Sequence, residues 1–154
     1  RMTKYKTKLT ANKRIELEKE VSMNCPDLSY VIRSPEDAAN IGKTFMRIHE
    51  NSEEYLYLIC MNTKNKVIGV FELSHGSVNS SLFSTREVYQ KALLANAVSI
   101  ILMHNHPSGD PTPSRQDIEV TKRATEAGNI IGIELLDHIV VGDTYCSLKE
   151  KGYV

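Results

Sequence analysis

The chain has 154 residues, of which 41% are hydrophobic and 25% charged, and its 19 basic and 19 acidic side chains give a net charge of zero. These proportions are typical of a soluble globular domain, and the length is sufficient to bury a hydrophobic core. Apolar runs fall short of the roughly 20 residues that a transmembrane helix needs. No apolar segment follows the basic N-terminus, so we expect neither membrane anchoring nor secretion.

Positive charge is concentrated at the start of the chain. Residues 1–14 contain six basic and no acidic side chains, which leaves 13 basic against 19 acidic ones in the remainder. We expect residues 1–29 to form a basic N-terminal arm and a helix, with the helix within Ala11–Met23. Residues 1–10 contain few large apolar side chains, so we expect them to be dispensable for folding. Such an arm is usually solvated, and contact with nucleic acid is the alternative.

The three cysteines, Cys25, Cys60 and Cys146, are odd in number, far apart and free of any C-x-x-C pattern. We therefore expect no disulfide and no cysteine ligand, and a reducing cytoplasm as the compartment. The absence of a P-C-x-x-C motif also argues against a zinc deaminase, which takes ligands from that motif.

From residue 30 onward, helical and extended patterns alternate. Ser34 before Pro35 is a helix start, and the β-branched apolar run Val98–Met103 predicts a buried strand. The alternation predicts an α/β sandwich around one mixed β-sheet, in one domain over residues 30–154. The other predicted elements are strands at 55–61, 66–74, 130–135, 138–141 and 145–148, helices at 34–49, 84–96 and 114–127, and a Ser/Asn-rich groove loop at 76–83.

The most informative stretch follows the predicted strand Val98–Met103 and reads HNHPSGDPTPSRQD over residues 104–117. Alternate residues of a strand project from one face, so His104 and His106 form a pair of imidazoles. Asp117 supplies a carboxylate as a third ligand. Two histidines and one carboxylate leave a fourth position open, which is typical of a catalytic zinc site and not of a structural one.

The same residues also fit a structural interpretation. Ser114 and Asp117 form the S-x-x-D pattern that caps a helix N-terminus, and histidines at the end of a strand are often hydrogen-bonded loop residues. The two interpretations are compatible. A helix N-terminus that faces the metal would place Asp117 in its first turn and Ser114 at the edge of the site.

The stretch His-x-His-Pro at 104–107, followed by Ser-x-x-Asp at 114–117, resembles the JAMM motif of MPN-type metalloproteases. With STREV at 84–88 and LDHI at 136–139, it is similar to the bacterial RadC subfamily, and the resemblance extends from about Val31 to the C-terminus. It implies the cytidine-deaminase-like MPN arrangement of an α/β/α sandwich. It also implies a Zn²⁺ ion and hydrolysis of an amide or isopeptide bond in a protein or peptide substrate.

The resemblance further implies two catalytic residues. In the JAMM family a glutamate on an upstream strand accepts a proton from the zinc-bound water and passes it to the leaving amine. Glu72, between Phe71 and Leu73 in the second predicted strand, matches that placement and is the preferred candidate; a position on the solvent face of the strand is the alternative. Glu87 is the weaker candidate because it has a helix-capping role. Ser114 would donate a hydrogen bond to the oxyanion.

A function of a different class remains open. RadC proteins carry a DNA-repair name, so the alternative is a binding module near nucleic acid with a structural zinc and little hydrolytic activity. A nucleotide or small-molecule hydrolase that uses the same zinc is a third interpretation. Arg86, Asp137 and His138 also match the RadC pattern. A hydrogen-bonded structural role is the simplest interpretation of Asp137 and His138, and the sequence leaves the oligomeric state open.

Overall fold

A computed structural model describes residues 1–76 and 84–154 of the chain. Within these two ranges, seven strands form one mixed sheet in the order β2-β1-β4-β3-β5-β6-β7. Neighbouring strands are antiparallel except for the parallel pairs β1/β4 and β5/β6. The strands are β1 Met2–Leu9, β2 Ile15–Met23, β3 Glu54–Met61, β4 Val67–Gly76, β5 Ser99–Asn105, β6 Glu134–Val141 and β7 Tyr145–Ser147. The helices are α1 Pro35–Ile41, α2 Thr85–Leu94 and α3 Arg115–Ile131.

The helices cover both faces of the sheet. Helix α1 and the π-helical turn Gly42–Met46 pack on the face that carries Tyr57, Ile101 and Met103. Helices α2 and α3 pack on the opposite face, against side chains that include Leu56. This arrangement is the predicted α/β/α sandwich around one mixed sheet. No described helix is long and apolar enough to span a membrane, and all three cysteines are buried and free.

Strand β5 lies between antiparallel β3 and parallel β6, and each of its seven residues is buried. A strand covered on both faces needs apolar side chains in a continuous run, which the sequence supplies up to Met103. The polar residues His104 and Asn105 then occupy the last two positions of a fully buried strand. Buried polar side chains require hydrogen-bond partners or ligands, so the residues around this end of β5 must supply them.

The N-terminal region differs from the expected arm and helix. Residues 2–9 and 15–23 form a β-hairpin, and β1 pairs with β4 in the same sheet. Ile15, Leu17 and Val21 are separated by even numbers of residues, which is the period of a strand and not of a helix. The lysines of β1 also meet the glutamates of β2, since Lys4–Glu20 and Lys6–Glu18 form ion pairs across the hairpin.

The C-terminal half also differs from the predicted elements, in the length of its helix and in the number of strands that follow it. Helix α3 continues past Gly128 and ends at Gly132, which adopts a left-handed conformation with φ of 88°. Gly128 is a residue of the helix, and glycine is needed there because a Cβ atom would collide with the Tyr89 hydroxyl group and the Ile133 carbonyl group. Residues 130–131 are therefore helical, and Glu134–Val141 forms one strand instead of two. The predicted groove loop falls largely on residues 77–83, outside the described residues.

We predict that a chain starting at Ala11 is less stable than the parent. Met2 is 1% exposed, and Tyr5 packs against Phe71 with ring centroids 6.1 Å apart. Full burial of one methionine contributes about 1.5–3 kcal/mol, and each kcal/mol changes the melting temperature by about 2–4 °C for a domain of this size. Calorimetry should therefore show a loss of about 3–12 °C. Leu9→Ser is the control, because Leu9 is 58% exposed, and an unchanged truncated chain would contradict packing of the hairpin.

Candidate metal centre

The structure brings together the three residues predicted as metal ligands. His104 lies in β5, His106 follows the last residue of that strand, and Asp117 lies in the first turn of α3. The two Nε2 atoms of His104 and His106 are 3.0 Å apart. Asp117 Oδ2 is 3.4 Å from the first nitrogen and 3.3 Å from the second. These three residues could hold a metal ion between them.

The separations of the three ligand atoms fit a tetrahedral ion. Zinc binds histidine nitrogen and carboxylate oxygen at about 2.0–2.2 Å, so ligand atoms at two corners of its tetrahedron lie about 3.3–3.6 Å apart. The observed separations of 3.0, 3.3 and 3.4 Å are close to that range. Two imidazoles and one carboxylate also form the donor set that zinc accepts at sites with an open position.

The loop after β5 holds His106 in place. The backbone N–H group of His106 donates to Val141 O at 2.8 Å, which extends the pairing of β5 with β6 by one residue. The ring Nδ1 lies 2.8 Å from Asp110 O. A carbonyl oxygen can only accept, so Nδ1 carries the proton and Nε2 of the neutral ring has its lone pair free for a metal. Gly142, which follows β6, packs against this loop: a Cβ atom there would collide with Gly109 O, so glycine is required at position 142.

Helix α3 begins at the site with both halves of a capping box. Asp117 N–H donates to Ser114 Oγ at 3.0 Å, and Ser114 N–H donates to Asp117 Oδ2 at 2.7 Å. The cap fixes the carboxylate of Asp117 in the first turn, where the positive end of the helix dipole favours negative charge. The structural interpretation of this motif is thus correct, and the same contacts aim Asp117 at the two histidines.

The electrostatics of the group favour a cation. Burial alone would raise the pKa of the Asp117 carboxyl group, but the hydrogen bonds that His104 and His106 donate from Nε2 when their rings are protonated outweigh it and hold that pKa well below its usual range. The hydrogen bond with Asp117 raises the pKa of His106 above its ordinary value, although burial opposes the shift. The metal-free group therefore keeps its negative charge and attracts protons.

His138 and Asp137 are buried residues of β6, and their side chains have different hydrogen-bond partners. His138 Nε2 lies 2.7 Å from His104 Nδ1, and its Nδ1 lies 2.6 Å from Thr121 Oγ1. Burial lowers the pKa of His138 well below its ordinary value. The carboxylate of Asp137 accepts hydrogen bonds from the Ser147 hydroxyl group and from backbone N–H groups of His138 and Lys149. Asp137 thus joins β6 to the end of the chain, while His138 reaches the site.

The structure places Glu72 away from the metal group. Glu72 pairs with Tyr57, whose side chain lies on the α1 face of the sheet, whereas His104 pairs with Leu56 on the opposite face. Strands β4 and β5 are separated by β3. The carboxylate of Glu72 instead contacts His75 Nδ1 at 3.3 Å and Lys4 Nζ at 4.0 Å. The structure therefore does not bring Glu72, predicted as the catalytic acid–base, together with the three ligand residues.

Glu54 is the acidic residue that the sequence interpretation missed. It is the first residue of β3 and shares the sheet face of Leu56, two residues on. Because Leu56 pairs with His104 in an antiparallel ladder, the register places Glu54 opposite His106. Glu54 lines a cavity of about 540 Å³ together with His106, Pro107, Ser108, Ser114, Arg115, Gln116 and Asp117. Glu87 is an exposed residue of α2 and is not among the described residues that line it.

Asn105 holds the backbone on both sides of Glu54. Its side-chain Oδ1 accepts the Tyr55 N–H group at 2.7 Å, and its Nδ2 donates to Glu53 O at 2.9 Å. Asn105 is buried, between the two histidines in sequence. The amide therefore takes the place of a strand partner where the β3/β5 ladder ends, and it fixes the backbone position of Glu54.

Comparison with known proteins agrees with this geometry. Residues 32–153 match the family described as the RadC-like JAB domain. A UPF0758 protein of Geobacillus sp. is 53% identical over 141 residues, which are 91% of this chain and 62% of that protein. UPF0758 protein YsxA of Bacillus subtilis is 50% identical over 141 residues, which are 91% of this chain and 60% of YsxA. The chain thus spans about three fifths of the length of these curated relatives.

We predict that His104→Ala and Asp117→Ala each abolish tight metal binding, because two remaining ligands rarely hold a metal ion against a chelator. Elemental analysis after dialysis against a weak chelator should find about one metal ion per parent chain and almost none in either variant. His49→Ala is the matched control, since His49 is an exposed histidine outside the group. Full metal content in either ligand variant would contradict the assigned set.

We also predict that metal affinity falls in acid through His106. A metal ion binds the deprotonated ring, so below the raised pKa of His106 binding must release a proton. Affinity should be constant above that pKa and fall about tenfold per pH unit below it. Asp117, with its lowered pKa, stays ionised and adds no slope between about pH 5 and 8. Chelator competition across this range measures the effect, and a flat profile would contradict it.

Proposed function

The chain belongs to the RadC-like JAB domain family, and from that premise we propose that it is a zinc-dependent hydrolase of amide or isopeptide bonds in proteins or peptides. One observation carries the proposal. Glu54 and Ser114 line the cavity that also contains His106 and Asp117 of the metal group. A metal with a purely structural role needs neither an acid–base residue nor a hydrogen-bond donor beside it.

A zinc ion held by His104, His106 and Asp117 would polarise a carbonyl oxygen and lower the pKa of a water molecule toward about 7. Glu54 then has the position for proton transfer. Its carboxylate faces the same cavity from the strand opposite His106. Glu54 accepts the proton of the attacking water and delivers it to the leaving nitrogen.

Ser114 stabilises the negative charge that develops on the carbonyl oxygen. Its Oγ already accepts the Asp117 N–H group, so the hydroxyl proton is free for a second partner. Ser114 lines the cavity at the N-terminus of α3. A donor fixed by its own cap needs little reorganisation when charge develops, which is the condition for strong electrostatic stabilisation.

The binding-module alternative draws little support from the N-terminal hairpin. The ion pairs Lys4–Glu20 and Lys6–Glu18 neutralise part of the positive charge that would attract nucleic acid. The presence of Glu54 and Ser114 beside the metal group also favours hydrolysis. We therefore rank amide hydrolysis first, and the binding module becomes one outcome of the test.

We predict that Glu54→Gln lowers hydrolysis by about 10²–10⁴-fold, the usual contribution of a positioned acid–base. Glutamine keeps the size of the side chain but cannot accept the proton, so metal content should stay at the parental level. Ser114→Ala should lower the rate by about 10²–10³-fold through the lost donor, and cost about 1 kcal/mol of stability through the lost cap. A zinc-loaded chain assayed on a broad peptide and isopeptide library provides the measurement.

Glu72→Gln is the matched control, because Glu72 lies on the other face of the sheet. Its turnover should remain within about threefold of the parent, well short of the loss expected for a positioned acid–base. Loss of turnover in Glu72→Gln with normal turnover in Glu54→Gln would restore the original assignment. A zinc-loaded parent that cleaves no member of the library would favour the binding module.

A further inference from the structure

A chain of buried hydrogen bonds begins at His104 Nδ1, the ring nitrogen on the side away from the other ligands. It ends at Asp117, the carboxylate residue of the metal group. From His104 Nδ1 the chain passes to His138 Nε2 at 2.7 Å, and from His138 Nδ1 to Thr121 Oγ1 at 2.6 Å. Thr121 Oγ1 then donates to the backbone carbonyl oxygen of Asp117 at 2.6 Å. His104, His138 and Thr121 are fully buried, so water cannot replace any of these contacts.

The protons along this chain can be placed from its last acceptor. A backbone carbonyl has no proton, so the single hydroxyl proton of Thr121 goes to Asp117 O. The Thr121 oxygen can then only accept from His138, which puts a proton on His138 Nδ1. A fully buried imidazole is neutral, so His138 Nε2 has no proton and accepts one from His104 Nδ1.

This proton order determines what His104 presents to the site. With its proton on Nδ1, the neutral ring of His104 directs the lone pair of Nε2 toward His106 Nε2 and Asp117 Oδ2. His106 is in the same tautomer, through the carbonyl of Asp110. Three acceptor atoms thus face one another at 3.0–3.4 Å, an arrangement that only a proton or a metal cation stabilises.

We propose that His138 and Thr121 are positioning residues that fix the tautomer of His104 and connect it to the turn of α3 that carries Asp117. This inference rests on the proposed function only in that the group binds a metal ion, and it does not require hydrolysis. This chain of hydrogen bonds, called the relay below, connects β5, β6 and α3. It therefore fixes the position of His104 in β5 relative to Asp117 in α3. Partners of this kind typically change metal affinity by about 10–100-fold.

The tautomers can be observed directly in the parent chain without metal. Long-range ¹H–¹⁵N spectra at about pH 8.5, two units above the ordinary histidine pKa of about 6.5, should show His104 and His138 both protonated on Nδ1 and bare on Nε2. A proton on Nε2 of either ring would overturn the proposal, and this measurement needs no variant that might fail to fold.

Thr121→Val and Thr121→Ser separate the hydroxyl group from the shape of the side chain. Valine keeps the branched shape but removes the acceptor of His138, so zinc affinity in chelator competition should fall by about 10–100-fold and the tautomer signals should change. Serine keeps the hydroxyl group and should bind zinc within about threefold of the parent, below that range. Parental zinc affinity and spectra in Thr121→Val would overturn the relay.

The outcomes distinguish this proposal from the hydrolase. Tight zinc binding and the expected tautomers without any hydrolysis would leave the relay intact and reject the enzyme. Hydrolysis with an unaffected Thr121→Val variant would reject the relay and leave the enzyme intact. A parent chain that binds no zinc would reject both.

Discussion

Three hydrogen-bond acceptors, from His104, His106 and Asp117, meet at the end of the buried strand β5. Much of the surrounding structure serves to offset the cost of burying these polar groups. His104 and Asp117 are nearly inaccessible to solvent, and polar groups in that position are costly unless each is hydrogen-bonded or bound to a cation. The chain supplies partners from every side. The Asp110 carbonyl group orients His106, the capping box orients Asp117, and His138 stands behind His104. These contacts leave the ligand atoms facing one another.

The order of the strands decides which acidic residue can act in this site. Strand β3 is the antiparallel neighbour of β5, so its first residues lie beside the last residues of β5. The pleat then selects Glu54, on the same face as His104, over residues one position away. Glu72 fails on both criteria, since its strand is one place further and its side chain lies on the α1 face. One intervening strand and the opposite face of the sheet thus keep Glu72 away from the ligand group.

Short sequence patterns correctly predicted the features that depend only on residues close together in the chain. The buried strand β5, the capping box at Ser114 and the pair of histidines follow from runs of a few residues, and the structure contains all three. Features that depend on distant pairing were missed. β1 pairs with β4 about 65 residues later, and the even spacing in β2 was mistaken for a helix. Glu54 could have been suspected as an acid at the start of an apolar strand, but only the β3/β5 register identifies it.

Helix α3 concentrates several requirements of the site at one end. Its first turn carries Asp117, its cap is Ser114, and one turn later Thr121 reaches back to His138. The positive end of the helix dipole faces the same cavity. It favours the ionised carboxylate of Asp117, and in the proposed reaction it would also favour an oxygen that gains negative charge. Because Ser114, Asp117 and Thr121 share one rigid element, a shift of α3 would move ligand, donor and relay together. The packing of α3 on the sheet therefore sets the geometry of the whole site. The S-x-x-D motif at residues 114–117 is the sequence feature that positions this helix end at the metal group.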